Sequence, residues 1–245
     1  MHTRSWIGND IVDLAEPGVA GKECDRRFMD RVFTPAEQAR ILDAAAPTIA
    51  LWKTWTAKET AFKIASKIRG GLVFRHQAFE VSAEVSEPDG AGAPMTSAAA
   101  HWARVRFEDL EIRVRWETAC DYVHCIGQLA RERMNAAPAS PADAPRDWRR
   151  ILADIVRDGQ PLGGALSEAE QASVHSTASE RVRLLARRLM ERWDVQGAEV
   201  VRLWRVWGWG PPVVAQEGEP VAGFDVSLSH DGRFVAAAVA GPGSV

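Results

Sequence analysis

The chain holds only three cysteines in 245 residues (Cys24, Cys120 and Cys125) and a single tyrosine. Three thiols at irregular spacing exclude a disulfide framework, and without paired spacing they exclude a zinc site. A reducing compartment is the default for such a chain. No stretch reaches the roughly 20 apolar residues needed to cross a bilayer. Asp10 and Asp13 also interrupt the start before an apolar leader could form. The expectation is a cytoplasmic, soluble protein with no membrane partner. Charge imbalance is scarce too: a formal net charge of −3 argues against holding nucleic acid by bulk phosphate neutralisation. Lysine is absent after Lys67, and beyond it every fixed positive charge is arginine.

What is present is an ordinary globular composition, long enough to bury a substantial core as one large domain or two small lobes. Trp6 to Leu14 reads as a short strand ending in acidic residues. Residues 20–33 and 35–68 read as helices, the second opened by Thr34-Pro35-Ala36-Glu37 with a Thr cap, Pro in the first turn and Glu three residues after the cap. Gly70-Gly71 ends the helical region. Period-2 segments at 79–85, 103–107, 112–116 and 122–129 predict an antiparallel sheet, with a turn-rich piece at 87–92. Residues 135–147 are Pro- and Ala-rich and read as a linker. The order then repeats. Helices are predicted at about 147–158 and 167–193, followed by strands at 198–207, 212–216, 224–229 and 233–240. The fold class expected is α+β with two similar lobes.

Two short blocks carry the chemistry: Gly8-Asn9-Asp10-Ile11-Val12-Asp13 and Trp55-Thr56-Ala57-Lys58-Glu59-Thr60-Ala61-Phe62-Lys63. At about 100° per residue, Trp52, Trp55, Glu59, Phe62, Lys63 and Ser66 share one arc of a helix, while Ala57, Ala61, Ile64 and Ile68 form a separate aliphatic face. Taken alone, Glu59 and Lys63 are an i,i+4 surface pair worth about 0.3–0.5 kcal/mol. Their aromatic company predicts a covered carboxylate instead, and such a group needs a partner or a metal. Asp10 and Asp13 are expected at a strand terminus, where an Asp turn or cap is common. A strand Asp and a helix Glu together are also the minimal protein set for Mg²⁺, which completes its octahedron with water and substrate phosphate. A third block, Phe224 to Val239, reads as a hairpin turning at Asp231-Gly232.

Together these blocks resemble the 4′-phosphopantetheinyl transferase superfamily. Its signature of Gly-x-Asp, then an aromatic residue followed by a small polar residue, x-Lys-Glu-x-x-x-Lys, is met by Gly8-Asn9-Asp10 and by Trp55 to Lys63. Arg27-Phe28, Arg31 to Thr34 and Glu37 resemble the family's connecting helices. The Ser-His hairpin (Ser229-His230-Asp231-Gly232) comes last, as in the short holo-acyl-carrier-protein synthases. Leu166 to Glu170 and Arg181 to Leu185 resemble the first lobe of the long, surfactin-type members. The resemblance thus implies a monomeric pseudodimer with its lobes in swapped order: a metal-binding lobe at 1–134, a linker at 135–147 and a hairpin lobe at 148–245.

The activity it implies is transfer of the 4′-phosphopantetheine group of coenzyme A to a serine of an apo acyl or peptidyl carrier protein, with release of adenosine 3′,5′-bisphosphate. In that scheme Asp10 and Glu59 hold Mg²⁺, Lys63 reaches the pyrophosphate, and Lys58, Ser229 and His230 meet the nucleotide phosphates. Glu59 is the candidate base, and carrier contacts are expected near residues 26–40. Two positions depart from the long type. Val12 stands where a further acid is usual, leaving water or Asp13 to complete the metal shell. Gly210-Pro211-Pro212 lacks a lysine, so the 3′-phosphate falls to arginines such as Arg181 or Arg183. A non-catalytic protein that binds coenzyme A or a carrier, and a phosphohydrolase with the same metal pair, are the alternatives.

Overall fold

The computed structural model describes residues 6–86, 101–132, 148, 150–195, 197–206 and 208–242. The 135–147 linker and the 87–92 turn-rich piece lie outside these residues. The fold is α+β, and all strand pairings are antiparallel. Strand β1 (Ile7–Asp13) is followed by helices α1 (Arg26–Val32), α2 (Pro35–Leu42) and α3 (Pro47–Ile68). Strands β2 (Glu80–Val81), β3 (Val85–Ser86), β4 (His101–Phe107), β5 (Leu110–Thr118) and β6 (Tyr122–Glu132) complete the first half. They form a sheet in the order β1-β6-β5-β4-β2, with β3 also on β4.

The second half runs β7 (Ile151–Arg157), α4 (Glu168–Gln171), α5 (Thr177–Met190), β8 (Glu199–Arg205), β9 (Gly208–Gln216), β10 (Glu219–Pro220), β11 (Asp225–Asp231) and β12 (Phe234–Ala240). Its sheets are ordered β11-β12-β7 and β10-β9-β8. Among the described residues no helix is long and apolar enough to cross a membrane.

Three helix expectations need correction. Residues 151–157 are a strand, not a helix: Ile151, Ile155 and Val156 suit a pleated surface, and pairing with β12 satisfies the backbone. The helical stretch 35–68 is two helices, because Pro47 disfavours the helical conformation at the residue before it. The stretch 167–193 is broken as well. Ser176 caps α5 by accepting from Ser179 N, and the break leaves His175 in a connecting turn.

The two halves repeat one local design. In each, the first strand pairs with the last, β1 with β6 and β7 with β12. Each has a capping box whose glutamate reaches further. Glu37 accepts from Val81 N at 2.8 Å and pairs with Lys58 of α3 at 2.8 Å. Glu170 accepts from Val200 N at 2.8 Å and pairs with Arg187 of α5 at 3.3 Å.

Two glycines decide where α3 lies. Gly8 and Gly127 face each other across β1 and β6, and a Cβ on Gly8 would stand 2.4 Å from the Thr60 carbonyl oxygen. On Gly127 it would stand 2.6 Å from Thr60 Cγ2. The paired glycines are a notch that seats the Thr60 turn, bringing the flanking Glu59 and Lys63 up to Asp10. The aliphatic face of α3 (Ala57, Ala61, Ile64, Ala65) fills the core against Phe79, Val105, Ile112 and Val114. Gly8→Ala forces backbone against backbone, so it is expected to destabilise the protein by about 3 kcal/mol or more; a denaturant midpoint unchanged from wild type would contradict this packing.

On its other face, β1 meets the second half. Ile7 and Ile126 pack on Ile151, Ala238 and Ala240, while Ile11 packs on Phe234 and Ala236. Alanines at alternate positions of β12 permit this close approach, and its other side (Val235, Ala237, Val239) packs with Val182, Leu185 and Ala186 of α5. The outer edge of β1 is closed by side chains rather than by another strand. The amides of Ile7, Asn9 and Asp13 donate to Asp225 Oδ2 (2.7 Å), Ser227 Oγ (2.9 Å) and Asp231 Oδ2 (2.8 Å). An edge strand is thereby blunted, and the hairpin β11–β12 is held beside it.

Candidate functional site

A cleft of about 760 Å³ opens where α3 faces α5, β9 and β11, within the size range of cofactor and ligand sites. Lys63 stands on its first-half wall, and its ammonium is bound at 2.8 Å to Asp10 Oδ1 and at 2.8 Å to Asn9 O. Burial raises the Asp10 carboxyl above its ordinary range, although Lys63 opposes the shift. Glu59 is pushed up to about 7, first by burial and then by the negative charge of Asp10, with Lys63 opposing. His230, exposed on β11, is lowered by burial and by the positive charges of Lys63 and His175, with Asp10 opposing. Lys63 and His230 line the cleft; Asp10 is coupled electrostatically to both, and Glu59 to Asp10 and Lys63.

The donor set fits a hard dication. Two carboxylates, with the charge of Asp10 raising Glu59, carry negative charge that one lysine does not neutralise, and carboxylate oxygens are the ligands Mg²⁺ prefers. Among the described residues no group of three or more His, Cys, Asp or Glu side chains is arranged as a metal cage, so a cation here would rely on Asp10 and Glu59 with water and substrate oxygens.

The second-half wall is basic. His175, Arg183, Arg202, Arg205 and His230 line it, beside Trp209 and Gly210-Pro211-Pro212. Arg183 is only 3% exposed. It donates to Ser179 O and Oγ at 2.7 Å and to Ser173 Oγ at 2.9 Å, while its buried Nε has no hydrogen-bond partner. Arg202 donates to Gly210 O at 2.7 Å and Trp209 O at 3.1 Å, which ties the β8–β9 hairpin to the cleft. Arg202, Arg205 and His175 escaped the sequence reading. The two arginines sit on a strand with no motif around them, and His175 is marked only by the helix cap that follows it.

Several predicted site residues stand elsewhere. Lys58 is fully buried, and its ammonium is held by Glu37 (2.8 Å), Phe79 O (2.6 Å) and His76 O (3.1 Å). It is an internal tie between α3, α2 and the segment before β2, which corrects the expectation that it meets phosphate. Arg181 donates to the carbonyls of Arg157 (3.0 Å) and Gln160 (3.2 Å) and fastens the turn after β7; it does not line the cleft. Asp13 accepts from Arg233 Nε at 2.7 Å and Nη2 at 2.5 Å, and these bonds hold it well below the usual carboxylate range. It locks the Asp231-Gly232 turn to the end of β1 and is not free for a metal. Gly232 is required there: its φ is +47°, and a Cβ would stand 2.5 Å from Asp13 Oδ2. Ser229 is buried, and its Oγ accepts from Asn9 Nδ2 at 3.5 Å, away from the cleft wall.

Residues 7–119 match the family model described as the 4′-phosphopantetheinyl transferase superfamily. The chain is also 35% identical over 71 residues to a protein named holo-[acyl-carrier-protein] synthase from Alteromonas mediterranea, a stretch covering 29% of this chain and 56% of that protein. The match thus spans little more than half the length of that relative.

Proposed function

We propose that this chain, a member of the 4′-phosphopantetheinyl transferase superfamily through residues 7–119, transfers the 4′-phosphopantetheine group of coenzyme A to a serine of an apo carrier protein. The observation that carries this reading is the coupling of Asp10 and Glu59 to Lys63, which lines a cleft whose other wall is cationic. Lys63 binds and orients the pyrophosphate. His175, Arg202, Arg205 and His230 hold the nucleotide phosphates, and the two arginines stand in for the lysine absent at Pro211. Arg183, its terminal nitrogens bound to Ser173 and Ser179, supports the wall and does not reach phosphate. Magnesium held by Asp10 and Glu59 would supply charge neutralisation at the pyrophosphate.

In the reaction the serine oxygen attacks the phosphorus on the pantetheine side, and a new O–P bond forms. The P–O bond to the nucleotide breaks, so adenosine 3′,5′-bisphosphate leaves with the bonding pair. Glu59, directly or through a water, takes the serine proton. Without a metal the Glu59 carboxyl sits near 7, and a bound dication would favour the ionised form that accepts the proton.

The repeated capping-box design and first-to-last strand pairing support reading the chain as two related lobes, 1–134 and 148–245, joined by the 135–147 linker. One protein then supplies both walls of the site. The cleft's apolar first-half wall (Phe62, Ile68, Leu72) suits the pantetheine arm. Incubation with coenzyme A, magnesium and an apo carrier protein is expected to add about 340 Da to the carrier, the mass of the transferred group. Bound coenzyme A without any mass gain on fatty-acid, polyketide or peptide carriers would mean a non-catalytic binder. Cleavage of coenzyme A without acceptor would mean a hydrolase.

A further inference from the structure

We infer that the buried pair Lys67–Asp225 is the positioning device that sets α3, β1 and β11 against one another for catalysis; the inference rests on the function proposed above. Both side chains are almost fully covered, at 3% and 4% exposure. The Lys67 ammonium faces Ile7 O at 2.7 Å, both Asp225 carboxylate oxygens at 3.0 Å and Val226 O at 2.8 Å. An ammonium has three protons, so this cradle leaves none for a phosphate even though Lys67 lines the cleft. Asp225 Oδ2 also accepts the Ile7 amide at 2.7 Å. One lysine and one aspartate thus fasten a helix of the first half, the first strand of the chain and a strand of the second half.

Each fastened element carries a group of the site a short way along. Lys63 lies one helical turn before Lys67, Asp10 lies three residues after Ile7, and His230 lies five residues after Asp225. A buried ion pair is a poor stabiliser, because desolvation offsets the attraction, and neutral replacements of both partners are often tolerated. A single arrangement of four acceptors about one ammonium is instead a device for geometry. Geometry matters here because an error of about 1 Å in a reacting group can lower a rate about a hundredfold. The nucleotide wall formed by His175, Arg202 and Arg205 lies in the second half, whereas Lys63 and the apolar wall lie in the first. Loosening this joint is therefore expected to weaken coenzyme A binding slightly and turnover much more.

The test compares two variants. K67Q/D225N removes both charges at once and keeps hydrogen-bonding groups at both positions. It is expected to fold, to bind coenzyme A within about threefold of wild type, and to lose at least about tenfold in turnover. D225E keeps the ion pair but lengthens one arm by a methylene, which displaces β11. It is expected to fold and to lose about fivefold or more in turnover with coenzyme A affinity held. Turnover within about twofold of wild type in either folded variant overturns the inference. A fall in coenzyme A affinity that keeps step with turnover also overturns it, because the pair would then be general scaffolding. Should the wild-type protein transfer nothing to any carrier, the functional reading fails separately. Amide exchange then decides the joint: faster exchange across Ile7–Asp13 in D225E supports it, and unchanged exchange overturns it.

Discussion

Replacing Glu59 with glutamine is expected to lower the transfer rate by about a hundredfold to a thousandfold while leaving the protein folded. Glutamine keeps the shape of the side chain but can neither accept the serine proton nor bring a negative charge to a magnesium ion. The pH profile identifies the group. Glu59 is half-buried beside Asp10 and sits near 7 without a metal. Magnesium on its carboxylate would lower that value. The wild-type rate should therefore rise with pH along a limb at or below about 7 as the carboxylate ionises, and that limb should move down as magnesium is raised. Glu59→Gln should remove that limb, not merely lower the curve.

Stability supplies a second signature of opposite sign. The folded-state pKa of Glu59 lies above the ordinary glutamate value of 4.5. The stability linked to its protonation is therefore fully present below about 4.5 and lost as pH rises through about 7. Glutamine has no such dependence. Glu59→Gln should then be more stable than wild type near pH 8 in the presence of a chelator, with the difference shrinking towards pH 5. Thermal melting at the two pH values checks this, and equal shifts at both would remove the buried-carboxylate assignment.

Asp10→Asn is expected to reduce transfer by about tenfold to a thousandfold, and to raise the magnesium concentration needed for half-maximal rate. Its effect on pH dependence differs from that of Glu59→Gln. The negative charge of Asp10 is the second cause, after burial, of the raised Glu59 pKa. Removing it leaves Lys63 as the charged neighbour that lowers the value, so in the metal-free variant the Glu59 carboxyl should titrate below about 7, which an NMR titration checks. Near-normal turnover in this variant, or a metal-free Glu59 titration that stays at about 7, would separate the two carboxylates and with them the proposed site.

The histidine and arginine content of the cleft shows how far residue patterns reach. Asp10, Glu59 and Lys63 stand out in the sequence because rare residue types recur at helical and strand spacing. Lys58 and Lys63 look equivalent in a motif, yet at about 100° per residue they point about 140° apart on α3. The sequence reading nonetheless sent both to phosphate, and the structure buries Lys58 against Glu37. Arg181 and Arg183 are likewise two residues apart on α5, about 200° around the helix, and only Arg183 lines the cleft.

By itself the sequence determined the mixed α+β class and the capped helix start at Thr34, and it singled out Asp10, Glu59 and Lys63 as candidates. These follow from local rules: periodicity, capping chemistry and turn preferences act within a few residues. The tertiary structure alone decided that 151–157 is a strand, since only the partner β12 chooses between two conformations of a short apolar run. It also decided that Asp13 belongs to Arg233, that Lys67 belongs to Asp225, and that Arg202 and Arg205 reach the cleft. Each of these rests on an atom more than a hundred residues away or on another strand's register, and pairing at such range is set by packing, not by neighbours in the chain.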